Sequence, residues 1–209
     1  EKHCNQVANT ISRNNGIINR IKKRLPPSSL KILYSSLVLP HLQYGVAAWG
    51  GCSNQSKKRI INIQKRAIRT VSRSYITSHT EPRMKKMGIL KFEELYSHQC
   101  AMLIHDIIRN RAPSAMKKLV TLDTETHARN LRSHSSDPLL VRVPREKCKT
   151  SSNSFGVKGA HIWNNISQEL RKVNEKHIFK YRLKQDMLSQ YSELTVCDNP
   201  RCTDRQHHH

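Results

Sequence analysis

Between Lys57 and Tyr75 the chain places Lys57, Lys58, Lys65, Arg66, Arg69 and Arg73 in a segment without a single Asp or Glu. Ammonium and guanidinium groups in such a one-sign run are suited to holding phosphate oxygens. A second basic set, Arg13, Arg20, Lys22, Lys23 and Arg24, lies near the start. Three other constellations could carry chemistry. Cys197 and Cys202 with His207 could ligate zinc, but Cys-x4-Cys is loose spacing and supplies only two thiolates. They are weak candidates, and the expectation is no metal. Cys100 with His98 and His105 could form a nucleophile–base pair, yet on an apolar helix cysteine packs as a small hydrophobe. Trp49 and Trp163 could stack on bases, although their apolar neighbours favour packing.

The whole-chain balance points the same way as the basic segments. There are 37 Lys+Arg against 15 Asp+Glu, a formal net charge of +22 on 209 residues. That excess repels itself in a compact state unless a polyanion neutralises it, so RNA, DNA or an RNA–DNA hybrid is the expected partner. No apolar run approaches the roughly 20 residues that span a bilayer, and no secretory pattern opens the chain. An intracellular protein, nuclear or cytoplasmic and away from membranes, is therefore expected, with its six cysteines as reduced thiols. With aromatics at only 5%, the core must rest on Ile, Leu and Val.

Amphipathic helices must position these charges. Val7, Ile11, Ile18, Ile21 and Leu25 recur by threes and fours, with one gap at Asn14. Pro26-Pro27 stops that helix, and Ser28 or Ser29 is the expected N-cap of the next. The second helix buries Leu30, Leu33, Tyr34, Leu37 and Val38, breaks near Pro40, and its segment closes near Gly50. A third, opened by Asn54 and Ser56, sets Ile60, Ile63, Ala67, Ile68 and Val71 on one half and Lys58, Lys65, Arg66, Arg69 and Arg73 on the other. Residues 75–90 read as a loop. A helix over 91–111 buries Phe92, Leu95, Tyr96, Cys100, Leu103, Ile104 and Ile107, with Glu93 and Glu94 in its first turn and Arg109 and Arg111 in its last. Past Leu122 the composition turns polar, and Leu139–Val143 alternates as a strand ended by Pro144. Residues 147–153 read as a loop, a last helix spans about 175–191 with Ile178, Phe179, Leu183, Met187 and Leu188 inward, and a polar tail follows. The expected fold is mostly α, in three parts: a helical domain over 1–122, a smaller α+β region with a short strand or hairpin over 123–191, and a disordered tail over 192–209.

Several motifs carry a family resemblance in addition. They are LKILYSSLVLPHLQYGVAAWG from Leu30 to Gly50, Gln64-Lys65-Arg66-Ala67-Ile68-Arg69, His79-Thr80-Glu81-Pro82, Gly159-Ala160-His161-Ile162-Trp163-Asn164, and Phe179-Lys180-Tyr181-Arg182-Leu183-Lys184. In this order they resemble the thumb and C-terminal region of reverse transcriptases from non-LTR (LINE-type, jockey-like) retrotransposons. The chain departs from that pattern at Ile63, where the family has Leu, and at Ile166-Ser167, where it has Leu-Pro.

The resemblance implies a thumb-like bundle that grips a template–primer duplex by its phosphates and works beside a polymerase palm in a parent polypeptide. It also implies Mg²⁺ held by an adjacent Asp pair in that palm. Asp106, Asp123, Asp137, Asp186, Asp198 and Asp204 are scattered here with no two adjacent. No catalytic residue is carried over, and the chain is not expected to polymerise by itself. Any sequence preference would come through Arg129, Arg132, Arg142 or Arg145. The rival expectation is a stand-alone, element-derived adaptor that binds nucleic acid or protein with no polymerase role.

Overall fold

A computed structural model describes residues 2–123, 137–145 and 153–191. Arg129, Arg132, Cys197, Cys202 and His207 lie outside the described residues. Among those described, the chain is mostly helical and has no strand. Two compact units are formed, one from residues 2–44, 52–92 and 187–191, the other from 45–51, 93–123, 137–145 and 153–186. The compositional shift at Asp123 falls inside the second unit.

In the first unit, α1 (Lys2–Ile21) packs along α5 (Asn54–Val71). Cys4, Val7, Ala8, Ile11 and Ile18 form the buried face of α1, and Ile60, Ile63, Ala67, Ile68 and Val71 that of α5. The gap at Asn14 has a reason: its Nδ2 donates to Leu37 O at 2.6 Å, a carbonyl left without a helical partner at the end of α2 (Pro27–Leu37). Two cap expectations shift. Helix α2 starts at Pro27, with Pro26 as an uncapped N-cap in place of Ser28 or Ser29; proline at the first helical position loses no hydrogen bond. Helix α5 is capped one residue earlier than expected, by Ser53, whose Oγ accepts from Ser56 N. The break near Pro40 is seen as a new short helix, α3 (Leu39–Gln43).

Residues 75–90, read as loop, contain α6 (Glu81–Met87). Proline sits in its first turn and Gly88, at φ 65°, ends it. Gln64 is the polar keystone of this unit. It is 1% exposed, donates through Nε2 to Tyr34 Oη at 3.2 Å and Leu90 O at 2.9 Å, and accepts at Oε1 from Phe92 N at 2.8 Å. Tyr191 Oη accepts from Lys91 N at 2.7 Å. Two N–H groups at the start of α7 (Phe92–Ile108) are thereby satisfied by distant side chains in place of a local Ser or Thr cap. Burial pushes the Tyr34 hydroxyl up to about 12, against the opposing hydrogen bond from Gln64.

The second unit contains α4 (Val46–Trp49), α7 beyond Phe92, α8 (Ser114–Lys117), α9 (Phe155–Asn164), α10 (Gln168–Lys172) and α11 (Lys176–Ser189) up to Asp186. Gly50, at the end of α4, lies against the Tyr96 ring, where any Cβ would clash. Trp163 is fully buried and donates from Nε1 to Leu139 O at 2.7 Å, so it packs, as its neighbours suggested. The expected strand at 139–143 is not formed. Leu122 and Val141 make one isolated antiparallel bridge, and Asn164 then occupies the place a neighbouring strand would take. Its Nδ2 donates to Val141 O at 2.8 Å, and its Oδ1 accepts from Val141 N at 3.0 Å. A side chain that completes the backbone bonds locally leaves no edge for a ladder to grow.

Arg171 and Asp137, both 6% exposed, form a buried ion pair, with Nε to Oδ2 at 3.0 Å. The same guanidinium donates to Asn164 O at 2.7 Å and Trp163 O at 3.3 Å, closing the end of α9. No helix among the described residues is long and apolar enough to cross a membrane.

Candidate nucleic-acid interface

Helix α1 contains five asparagines, Asn5, Asn9, Asn14, Asn15 and Asn19, although asparagine is a poor helix-interior residue. Tertiary structure gives each a place. Asn5 Oδ1 and Asn9 Oδ1, one turn apart, accept from Arg59 Nη1 at 2.6 Å and Nη2 at 3.0 Å. Asn14 closes α2. Asn15 and Asn19 share a stripe of α1 with Ser12 and Gly16, at helical spacing.

That stripe forms one wall of a cleft of about 470 Å³. Lys22 lies just past the end of α1. The opposite wall is Ile63, Arg66, Arg69 and Thr70 of α5, with Ser74 and Ile76 beyond its end. Lys22, Arg66 and Arg69 of the sequence-derived set therefore converge, although 44 residues separate Lys22 from Arg66 in the chain. Arg69 is half-buried, and its Nε donates to Ser78 O at 3.1 Å. Burial lowers its pKa from the ordinary arginine value. No carboxylate pairs with any of the three among the described residues. A partly desolvated cation with no counter-ion is costly to hold, and a seated anion would offset that cost.

The remaining members of the set sit elsewhere. Arg13 and Arg20 are exposed, roughly a quarter-turn around α1 from the cleft stripe at about 100° per residue. Lys23 and Arg24 are exposed in the turn after α1, Lys58 and Lys65 on α5, while Lys57 is half-buried in its first turn. Arg73 has a structural task. Its Nη2 donates to Lys22 O at 2.7 Å and also to Leu25 O, closing the turn after α1. It holds a left-handed backbone, φ 53°, where Ser74 N returns to Arg69 O at 3.0 Å. This helix ending normally takes glycine, and the two carbonyl contacts offset the strain of a larger residue there.

From Lys2 to Phe92 the sequence has eighteen Lys+Arg and one acidic residue, Glu81. Glu81 pairs with Lys91 at 2.6 Å. Among the described residues of this unit Glu81 is the only carboxylate, so the described charges around the cleft are nearly all of one sign. Sequence reading missed Ser12, Asn15, Asn19, Thr70 and Ser74, although the density of asparagine in α1 was a signal: poor helix formers persist where a tertiary contact repays them. It also missed Arg59, whose partners lie 54 and 50 residues away.

The nucleophile–base arrangement does not form. Cys100 is fully buried, and burial pushes its thiol up to about 11, so the nucleophilic thiolate is disfavoured. His98 Nε2 donates to Lys180 O at 3.2 Å, and His105 Nε2 to Val173 O at 2.9 Å. His105 stacks on Phe179 with ring centroids 4.4 Å apart. Burial lowers both imidazole pKa values, so the neutral rings pack as core. Among the described residues no group of three His, Cys, Asp or Glu is placed to hold a metal. Comparison with protein-family models, curated proteins and solved structures gives no match for this chain.

Proposed function

We propose that this chain is a nucleic-acid-gripping module, the thumb-like C-terminal portion of an RNA-directed DNA polymerase of the non-LTR retrotransposon type. The observation that carries the reading is the α1–α5 cleft, where Lys22, Arg66 and Arg69 converge without a carboxylate in a region of eighteen cations and one acid. Such a surface binds a polyanion by neutralising phosphates and releasing counter-ions. Contacts of this kind fix position and orientation without reading sequence. A template–primer hybrid is recognised mainly through its shape and backbone, which suits a rigid helical pair bearing exposed Lys58, Lys65 and Arg66. The ordered motifs from Leu30 to Lys184 add the family assignment.

Polymerisation belongs, on this reading, to a palm that these residues do not supply. Two Mg²⁺ ions there would activate the primer hydroxyl and steady the leaving pyrophosphate. This sequence has no adjacent Asp pair to hold them. The part played by this chain's own residues is to hold the duplex in register.

Binding of the purified chain to an RNA–DNA hybrid over a salt series, with heparin as competitor, tests the proposal. A steep fall of log affinity with log salt, together with preference for hybrid over heparin, is expected. A steep slope without preference reduces the chain to a generic polycation. Weak, salt-insensitive binding overturns the proposal and favours a protein-binding adaptor.

A further inference from the structure

The α1–α5 cleft has features that a phosphate-binding surface does not need. It is concave, about 470 Å³, within the roughly 300–1,000 Å³ typical of small-ligand sites. A duplex can rest its backbone phosphates on the cations at the rim of such a space, but only a single nucleotide fits inside it. Its cations lie together with apolar surface: Ile63 is nearly buried, whereas Ile76 is 88% exposed. An isoleucine so exposed beside a charged cleft offers an unused apolar face. Asn15 Oδ1 is buried without a hydrogen-bond partner. A phosphate has only acceptor oxygens when ionised and cannot satisfy it. A nucleobase edge carries N–H donors, which could satisfy Oδ1 once a turn about the broad second side-chain torsion of Asn directs it into the cleft.

We propose that this cleft is a nucleotide subsite that takes one unstacked nucleotide of a single-stranded segment, with its phosphate on Lys22, Arg66 and Arg69 and its base against Ile63 and Ile76. The amides of Asn15 and Asn19 meet the base edge. The proposal rests on the nucleic-acid reading above and narrows it from duplex backbone to a splayed single-stranded nucleotide. Bases free of a duplex are accessible to such edge and face contacts, whereas paired ones are not.

Gly16 supplies a clean test. It lines the cleft, and a Cβ built on it meets nothing within 4 Å. Gly16→Leu fills the cleft while leaving every charge in place, and leucine is the better helix former. Fluorescence anisotropy of the full chain is read with three labelled probes of equal length: an oligothymidine strand, an abasic sugar–phosphate strand, and an RNA–DNA hybrid. The oligothymidine strand is expected to bind about tenfold more tightly than the abasic strand, the effect of burying on the order of 50 Å² of apolar surface. In Gly16→Leu that preference should vanish with the salt slope and the cooperative thermal unfolding unchanged. Equal binding of oligothymidine and abasic strands overturns the subsite and leaves the nucleic-acid reading intact. So does a preference that survives in Gly16→Leu, because the base is then recognised elsewhere. No salt-dependent binding to any probe overturns both.

Discussion

The two units use charge in opposite ways. From Lys2 to Phe92 there are eighteen Lys+Arg and one acidic residue; from Glu93 to Tyr191 there are seventeen and ten. In the second unit, charge builds structure. Arg171 is buried on Asp137, Lys176 pairs with Asp106 at 2.6 Å, and Arg109 donates to the carbonyls of Arg171 and Val173 at 3.0 and 3.3 Å. In the first, the polar keystone Gln64 is neutral, and most cations face outward without an acid to meet. Nearly equal numbers of basic residues thus serve different ends. The deciding quantity is the supply of carboxylates, because an unpaired cation is available to a ligand and a paired one is not.

The largest expected effect comes from breaking the internal use of charge. Asp137→Ala strands the buried Arg171 guanidinium and should cost about 3–5 kcal/mol of stability, measured by denaturant unfolding. Asp137→Ala with Arg171→Met should recover part of that loss, though not the bonds to Trp163 O and Asn164 O. If Asp137→Ala proves neutral, the contrast between the units fails.

A charge exchange sharpens the comparison from the other side. Lys22→Gln, Arg66→Gln and Arg69→Gln together should reduce the salt slope of nucleic-acid binding by about 0.9 for each phosphate no longer neutralised. The same number of exposed cations removed from the second unit, Lys172→Gln, Lys180→Gln and Arg182→Gln, should leave the slope nearly unchanged. Equal effects from both triples would show that net charge, and not the cleft, governs binding.

The smallest expected effect is on pH. His98 and His105 have pKa values below the ordinary histidine value because burial penalises the charged ring. The unfolded chain therefore takes up protons first as pH falls, and stability declines below an unfolded pKa of about 6.5. Thermal unfolding should shift to lower temperature between about pH 7 and pH 5. His105→Phe, which keeps the stack on Phe179, should flatten that dependence.

Much of the helical frame was legible in the residues. The 3.6-residue recurrence of Ile60, Ile63, Ala67, Ile68 and Val71 set the buried face of α5 without help from the rest of the chain. Pro40 marked the break it was expected to mark. The alternation at Leu139–Val143 misled, because alternation reports an extended backbone but not its partner, and here the partner is the Asn164 side chain.

Sequence by itself determined the helical periodicities, the sign and placement of charge along each helix face, and the lack of an adjacent Asp pair. These are local properties, set by neighbours within one or two turns. Tertiary structure decided which polar residues became internal supports and which cations gathered into one cleft. Gln64 meets Phe92 across 28 residues, Arg171 meets Asp137 across 34, and Arg73 reaches Lys22 across 51. Helical spacing says which face a residue occupies but not which distant segment will lie against that face. Helical spacing alone puts Arg69 and Arg73 on one half of the same helix, yet α5 ends at Val71, and only the packed chain set Arg69 at the cleft and Arg73, past the helix end, on the carbonyls that follow α1.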